Sequence, residues 1–392
     1  MVAFIVHPVE LALIQFTRKI AAVTPTANGN ENVRPNRRWA GFAFVLALSM
    51  ACIADRASAE DAVARCRAAA KPPECARAAA LSHAVKKVSF WQPALSHPLE
   101  QRIGSAPPEL VEFLLLDNVA NNIPNEARAS KLEPAFVEDV RRAWREIPAA
   151  VKRPLDKKLA GIYFMDDIGG TGFTDETVDA GGKPVAAFMI LDPSVLMART
   201  ANEWATWKES SPFKADPWWT LQARIEDPAR DDRVHAIQYI LLHELGHVLS
   251  VASDAHPRWT VPVKESGPIE HYPFFTQSWI VTGEGFTSRF EDTFPQRRDV
   301  RFYFGAKLAG AAMLPTYEAL EKTNFPTLYA ATHFGDDFAE AFASYVHVVL
   351  MKRPYEIRLL RDGTLVKSYK ACWSEERCAA KKAYLERFLA TK

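Results

Sequence analysis

The sequence predicts an α+β protein, with a small mixed sheet beside one buried helix and a helical segment in front of it. Three patterns carry this. Apolar residues recur at three- and four-residue intervals through Val234, Ile237, Ile240, Leu241, Leu245, Val248 and Leu249, the spacing of a helix set into a core. Two runs rich in β-favouring residues, 159–165 and 184–191, lie on either side of a glycine-rich turn. Helical spacing returns in 109–119, in 134–147 and from Asp336 onward.

The 392 residues, 48% hydrophobic and 24% charged, suit one large globular domain or two modest ones. With 48 basic against 47 acidic side chains the formal net charge is +1, so no global field draws in nucleic acid or an anionic membrane. Residues 1–59 read as a signal or targeting segment. Arg37-Arg38 precedes an apolar run over 40–53, and Ala57-Ser58-Ala59 supplies a small-x-small cleavage site before Glu60. At about fourteen residues the run is too short for a membrane span, and none is expected in the mature chain. A start at Val33 would give this leader ordinary proportions, which marks residues 1–36 as an over-extended start. Leu48-Ser49-Met50-Ala51-Cys52 also raises a lipid anchor at Cys52, although Ser49 stands where lipoprotein signals usually carry Leu.

Residues 60–105 are Ala-rich and helical, a small cap in which Lys71-Pro72-Pro73 breaks a helical hairpin. Cys66 with Cys75 is placed to clamp that hairpin, and Cys372 with Cys378 forms a second close pair. Two local disulfides fit an exported, periplasmic or secreted protein. Neither spacing is CxxC and no histidine lies near, which argues against a zinc knuckle or a redox motif. Residues 106–392 form the main domain. Pro107-Pro108 opens the helices at 109–119 and 134–147, and the chain then switches to the strand 159–165. Gly169 to Thr174 reads as a turn or bulge near a substrate groove, since no Lys-Ser/Thr follows to make it a phosphate loop. The strand 184–191 closes what reads as an antiparallel pair. Residues 192–231 read as a long irregular loop, and 253–300 as a Pro- and aromatic-rich stretch in which His256 and His271 are surface residues.

Between these loops lies IQYILLHELGHVLS, residues 237–250. Positions four apart share a helix face, so His243 and His247 can aim two imidazoles at one metal ion. Glu244 sits beside them, where a carboxylate can take a proton from a metal-bound water, the arrangement of an HExxH metallopeptidase helix. Two histidines on so apolar a helix are costly to bury without partners, and a metal satisfies both.

The second constellation is YAATHFGDDFAEAFASYVH, residues 329–347, which places Asp336 and Glu340 one helical turn apart. Here the chain resembles the gluzincin-type zinc metallopeptidases, in particular lethal-factor and Pro-Pro endopeptidase-like catalytic domains. Their second motif runs Tyr, six residues, then Glu-x-Phe-Ala-Glu-x-Phe. This chain reads Tyr329, six residues, then Asp336-Asp337-Phe338-Ala339-Glu340-Ala341-Phe342, with Asp replacing the first Glu. The resemblance implies Asp336 as third zinc ligand, Glu340 as a carboxylate orienting a liganding histidine, and Tyr329 as a phenol stabilising the oxyanion. Asp is one methylene shorter than Glu, about 1.5 Å of reach, so either this helix lies closer to the metal or Glu340 binds instead.

After Pro354 the tail reads as a short strand or loop and then a solvated closing helix over 374–389. The expectation is therefore a zincin-like α+β fold and an exported, zinc-dependent endopeptidase acting on a peptide or protein, with Glu244 as general base. The edge strand near Gly172-Phe173 would hold the peptide by β-addition. The competing reading is a catalytically retired zincin-like protein that binds a cell-envelope partner.

Overall fold

Proline sets the start of α1 (Pro72–Ser82), α3 (Pro108–Ala120) and α4 (Pro134–Glu146), each of which carries it in the first positions. There the fixed φ suits the helix and the missing N–H has no partner to lose. Pro72 thus begins a helix, and the Cys66–Cys75 disulfide ties the helical stretch 62–67 before it to the first turn of α1. The structure, a computed structural model, describes residues 62–390 apart from 263, 264, 284 and 304. The expected leader, its cleavage site and Cys52 lie outside the described residues.

The protein is α+β. After α2 (Val88–Leu95), its main sheet is built from β1 (Ile103–Ser105), β3 (Leu159–Asp166), β5 (Pro184–Leu191) and β4 (Gly172–Val178) in the order β1-β3-β5-β4, with β2 (Arg128–Ala129) added beside β3. The two long runs do not form an antiparallel pair. β3 and β5 run parallel, and β4 pairs antiparallel with β5 at the sheet edge. The glycine-rich stretch is accordingly a turn that leads straight into a strand. Near-continuous apolar runs such as PVAAFMIL are what a central strand needs when both of its faces are covered. Leu159, Ile162, Phe164, Ala187, Met189 and Leu191 join the main core on the front. Ala160, Met165, Phe188 and Ile190 meet Trp91, Leu110 and Phe113 on the back, so α1, α2 and α3 form a layer on the sheet's rear face.

The front layer is organised by α6 (Arg233–Ser250), capped by Asp232, whose side chain accepts from the His235 N–H. Every residue from Val234 to Ser250 is buried. The stretch 192–231 is not an irregular loop: it holds α5 (Ala201–Ser210) and β6 (Trp219–Arg224). Thr200 and Glu203 close a capping box that starts α5, while β6 exists because β9 (Glu356–Arg361) arrives from far along the chain to pair with it. β10 (Thr364–Lys370) completes this second sheet. A hairpin of β7 (Trp279–Thr282) and β8 (Gly285–Ser288) and the helix α7 (Met313–Leu320) precede α8 (Phe334–Tyr345), the helix that packs across α6.

The closing helix α9 begins at Ala379, after a 3-10 turn that holds Cys378 of the second disulfide, Cys372–Cys378. It is not a solvated helix. Lys381, Tyr384, Leu385 and Phe388 are buried, and Lys381 is ion-paired with Asp337 of α8. No helix among the described residues is long and apolar enough to cross a membrane.

Candidate metal centre

Helix α6 brings His243 and His247 onto one face with their Nε2 atoms 3.2 Å apart. Asp336, from the first turn of α8, places Oδ1 3.9 Å from each of those nitrogens. One ligand atom from each of the three side chains lies within 4.8 Å of the others, and all three residues are buried. The structure contains no ion. The donors nevertheless fit one: Asp336 Oδ1 is shut away from water without a hydrogen-bond partner among the described residues, while Oδ2 accepts from Thr332 Oγ1 at 3.2 Å. A buried carboxylate oxygen facing two imidazoles and no donor is an expensive arrangement that a divalent cation removes. Burial pushes the Asp336 carboxyl up to about 7 against the pull of His243.

A close approach of two helices lets the short Asp336 side chain reach this point. A Cβ on Gly246 would fall 2.7 Å from the Cα of Ala339, so α6 and α8 pack backbone to backbone there. Asp336 lies one turn before Ala339 and His243 one turn before Gly246. The missing methylene is made up by backbone proximity.

Glu340, one turn on, lies behind the histidines. Its Oε1 is 2.9 Å from His243 Nδ1 and accepts from Lys208 Nζ at 2.9 Å, and its Oε2 accepts from Thr327 Oγ1 at 2.8 Å. Burial works against the charge on Glu340, yet Lys208 and His243 hold its carboxyl down to about 2. A carboxylate on Nδ1 fixes the imidazole tautomer in which Nε2 carries the lone pair that can ligate.

Glu244 is fully buried, and its Oε2 accepts from Thr174 Oγ1 at 2.6 Å. Its Oε1 has no partner among the described residues and lies against Gly172, where a Cβ would come within 2.6 Å of it. Gly172 and Thr174 are two apart on β4 and so share the face turned to the helix. Burial raises the Glu244 pKa, with His243 and Thr174 pulling the other way.

Tyr329 occupies a buried 3-10 turn, Tyr329–Ala331, with its ring centroid 5.5 Å from that of His243. Burial, reinforced by Asp336, pushes its phenol well above the ordinary range. Sequence reasoning missed Tyr303, whose ring lies 6.3 Å from that of Tyr329 and whose hydroxyl is buried without a partner among the described residues. No spacing along the chain ties Tyr303 to the motifs. It missed Lys208, Thr174 and Thr327 for the same reason.

A strap over 255–260 passes beside the histidines. Trp259 lies 6.0 Å from the His247 ring, and Arg258 and Thr260 both bond to Glu176 on β4, Thr260 at 2.6 Å. His256, expected at the surface, is buried in this strap, where its Nδ1 bonds the Pro257 carbonyl at 2.7 Å. Its ring packs against Trp259 and Phe334, and burial pushes its pKa down to about 4. His271 is exposed. No protein-family model, curated protein or solved structure matches this chain.

Proposed function

We propose that this chain is an exported zinc-dependent endopeptidase with a zincin-like fold, similar to the gluzincin group whose motifs its sequence resembles. The observation that carries the reading is the convergence of His243, His247 and Asp336 within 4.8 Å, with Glu244, next to His243 on α6, holding a buried oxygen that has no partner among the described residues. His243, His247 and Asp336 would hold the zinc. When bound, zinc supplies Lewis-acid polarisation of the scissile carbonyl and lowers the pKa of water.

The remaining chemistry belongs to the chain. Thr174 fixes one oxygen of Glu244 and leaves Oε1 to take the proton of the attacking water. Burial keeps that carboxylate more basic than one in solvent, as a general base requires. Tyr329 stays protonated and so can donate to the developing oxyanion. β4 is the edge of its sheet, and its Gly172–Thr174 end, next to Glu244, offers backbone groups to an extended peptide. The occupant is a peptide or protein, not a nucleic acid.

One observation favours the alternative of a retired site that binds a cell-envelope partner: His243, Glu244, His247, Tyr329 and Asp336 are all buried beside the 255–260 strap. A single experiment separates the readings. The purified mature protein should carry about one zinc per chain, and Glu244→Gln should keep that zinc and the fold but lose peptide hydrolysis. Absence of tightly held zinc overturns the metal reading. A wild-type protein that holds zinc but cleaves nothing in a diverse peptide library leaves the binding role.

A further inference from the structure

We propose that Lys208 is a positioning residue of the metal centre, a single buried ammonium that sets both Glu340 and Tyr329. The inference rests on the zinc reading above. Lys208 lies near the end of α5 and is 3% exposed. Its Nζ donates to Glu340 Oε1 at 2.9 Å and to Glu209 Oε1 at 3.3 Å, and it stands 4.8 Å from the centroid of the Tyr329 ring. An ammonium has three N–H groups and no acceptor; the two carboxylates take its hydrogen bonds, and of the rings around it Tyr329 stands nearer than Phe302 and Trp204, at 5.7 and 5.8 Å.

The oxygen that takes the Lys208 hydrogen bond is the same Oε1 that meets His243 Nδ1 at 2.9 Å. Where Lys208 holds that oxygen, the His243 ring must turn to meet it, and the opposite nitrogen then faces Asp336 and His247. The orientation of a ligand is thus set two bonds away, from a helix with no ligand of its own. Glu209 fixes the other side of the ammonium, since its Oε2 accepts from Tyr317 at 3.1 Å and its Oε1 lies 3.4 Å from the Tyr355 hydroxyl. Through these bonds α7 and the segment leading into β9 brace the centre. The same ammonium lies against the Tyr329 ring, and the attraction of a cation to an aromatic face holds that ring beside His243.

The test uses the full mature protein. Zinc affinity is measured by competition with a chelator, and apo-protein unfolding is followed separately, for Lys208→Met, for Lys208→Met with Glu209→Gln, and for Thr327→Val. The double variant removes one positive and one negative buried charge together, so it spares the fold the uncompensated carboxylate that the single variant leaves. The expected result is zinc affinity about 10- to 100-fold weaker in the double variant, and a smaller loss, about threefold, in Thr327→Val, which removes only the bond to the far oxygen of Glu340. A purely structural cation would lower the apo unfolding midpoint and leave zinc affinity of the folded protein unchanged. That outcome, or a larger loss in Thr327→Val than in the lysine variants, overturns the proposal while the zinc reading stands. A wild-type protein that binds no zinc overturns both.

Discussion

At the scale of single residues, the two carboxylates of α8 do different work although they lie one turn apart. Asp336 Oδ1 faces both Nε2 atoms at 3.9 Å, whereas Glu340 is engaged by His243 Nδ1, Lys208 and Thr327. Asp336→Ala should therefore remove zinc binding almost entirely, while Glu340→Ala should weaken it about 10- to 100-fold. Asp336→Glu should retain more zinc than Asp336→Ala, because it keeps a carboxylate at the point where the two helices meet. Titration of zinc into the three variants checks this, and wild-type affinity in Asp336→Ala would move the ligand to Glu340. These side chains were legible in the sequence because helical spacing alone puts His243 with His247, and Asp336 with Glu340, on common faces. Lys208, Thr174, Thr327 and Tyr303 were not. They come from other elements, and only the packing of those elements against α6 and α8 brings them in.

At the scale of elements, the contact of Gly246 with Ala339 sets how far α8 stands from α6. An alanine at 246 would gain about 1 kcal/mol of helix propensity but would set its Cβ 2.7 Å from a backbone atom that cannot swing aside. Overpacking of that kind costs about 1–3 kcal/mol, so the clash wins. Gly246→Ala should lower the unfolding midpoint of the apo-protein and, by moving Asp336 away from the histidines, also weaken zinc binding. A raised midpoint with unchanged zinc affinity would show that the two helices do not depend on this contact. The strand errors have an element-scale cause too. Pairing direction is set by how the chain returns to the sheet, and the runs 159–165 and 184–191 look the same whether they pair antiparallel or, as β3 and β5 do, parallel with β4 on the far side of β5. β6 was invisible because its partner, β9, lies more than a hundred residues on, whereas the capping box of α5 was written in Thr200 and Glu203 and went unread.

At the scale of the whole molecule, the main sheet stands between the N-terminal helices and the layer that carries the candidate centre, and the second sheet is joined to that layer through His347. Its Nε2 lies 2.8 Å from the carbonyl of Ile225, which follows β6, and 3.1 Å from that of Pro354, which precedes β9. Two carbonyls on Nε2 require that nitrogen to carry the proton, and Nδ1 is buried without a partner among the described residues. Burial pushes this histidine down to about 4 from an ordinary 6.5, helped by Arg353 and His235 and opposed by the two carbonyls. In the unfolded chain the same ring takes up its proton near 6.5, so below that pH the unfolded state binds more protons than the folded one. The contribution of His347 is therefore whole above 6.5 and is lost as pH falls toward 4, a change of about 3 kcal/mol. Other buried groups titrate across the same range, Asp117 and Asp336 in the opposite sense, so the total profile does not isolate it. A difference measurement does. His347→Gln keeps a donor for the Ile225 carbonyl and cannot be protonated in this range, so the stability of wild type relative to this variant should shrink by about 3 kcal/mol between pH 7.5 and pH 4. Urea unfolding of both proteins at the two pH values reads that difference directly, and a constant offset would mean that the ring carries the same charge folded and unfolded.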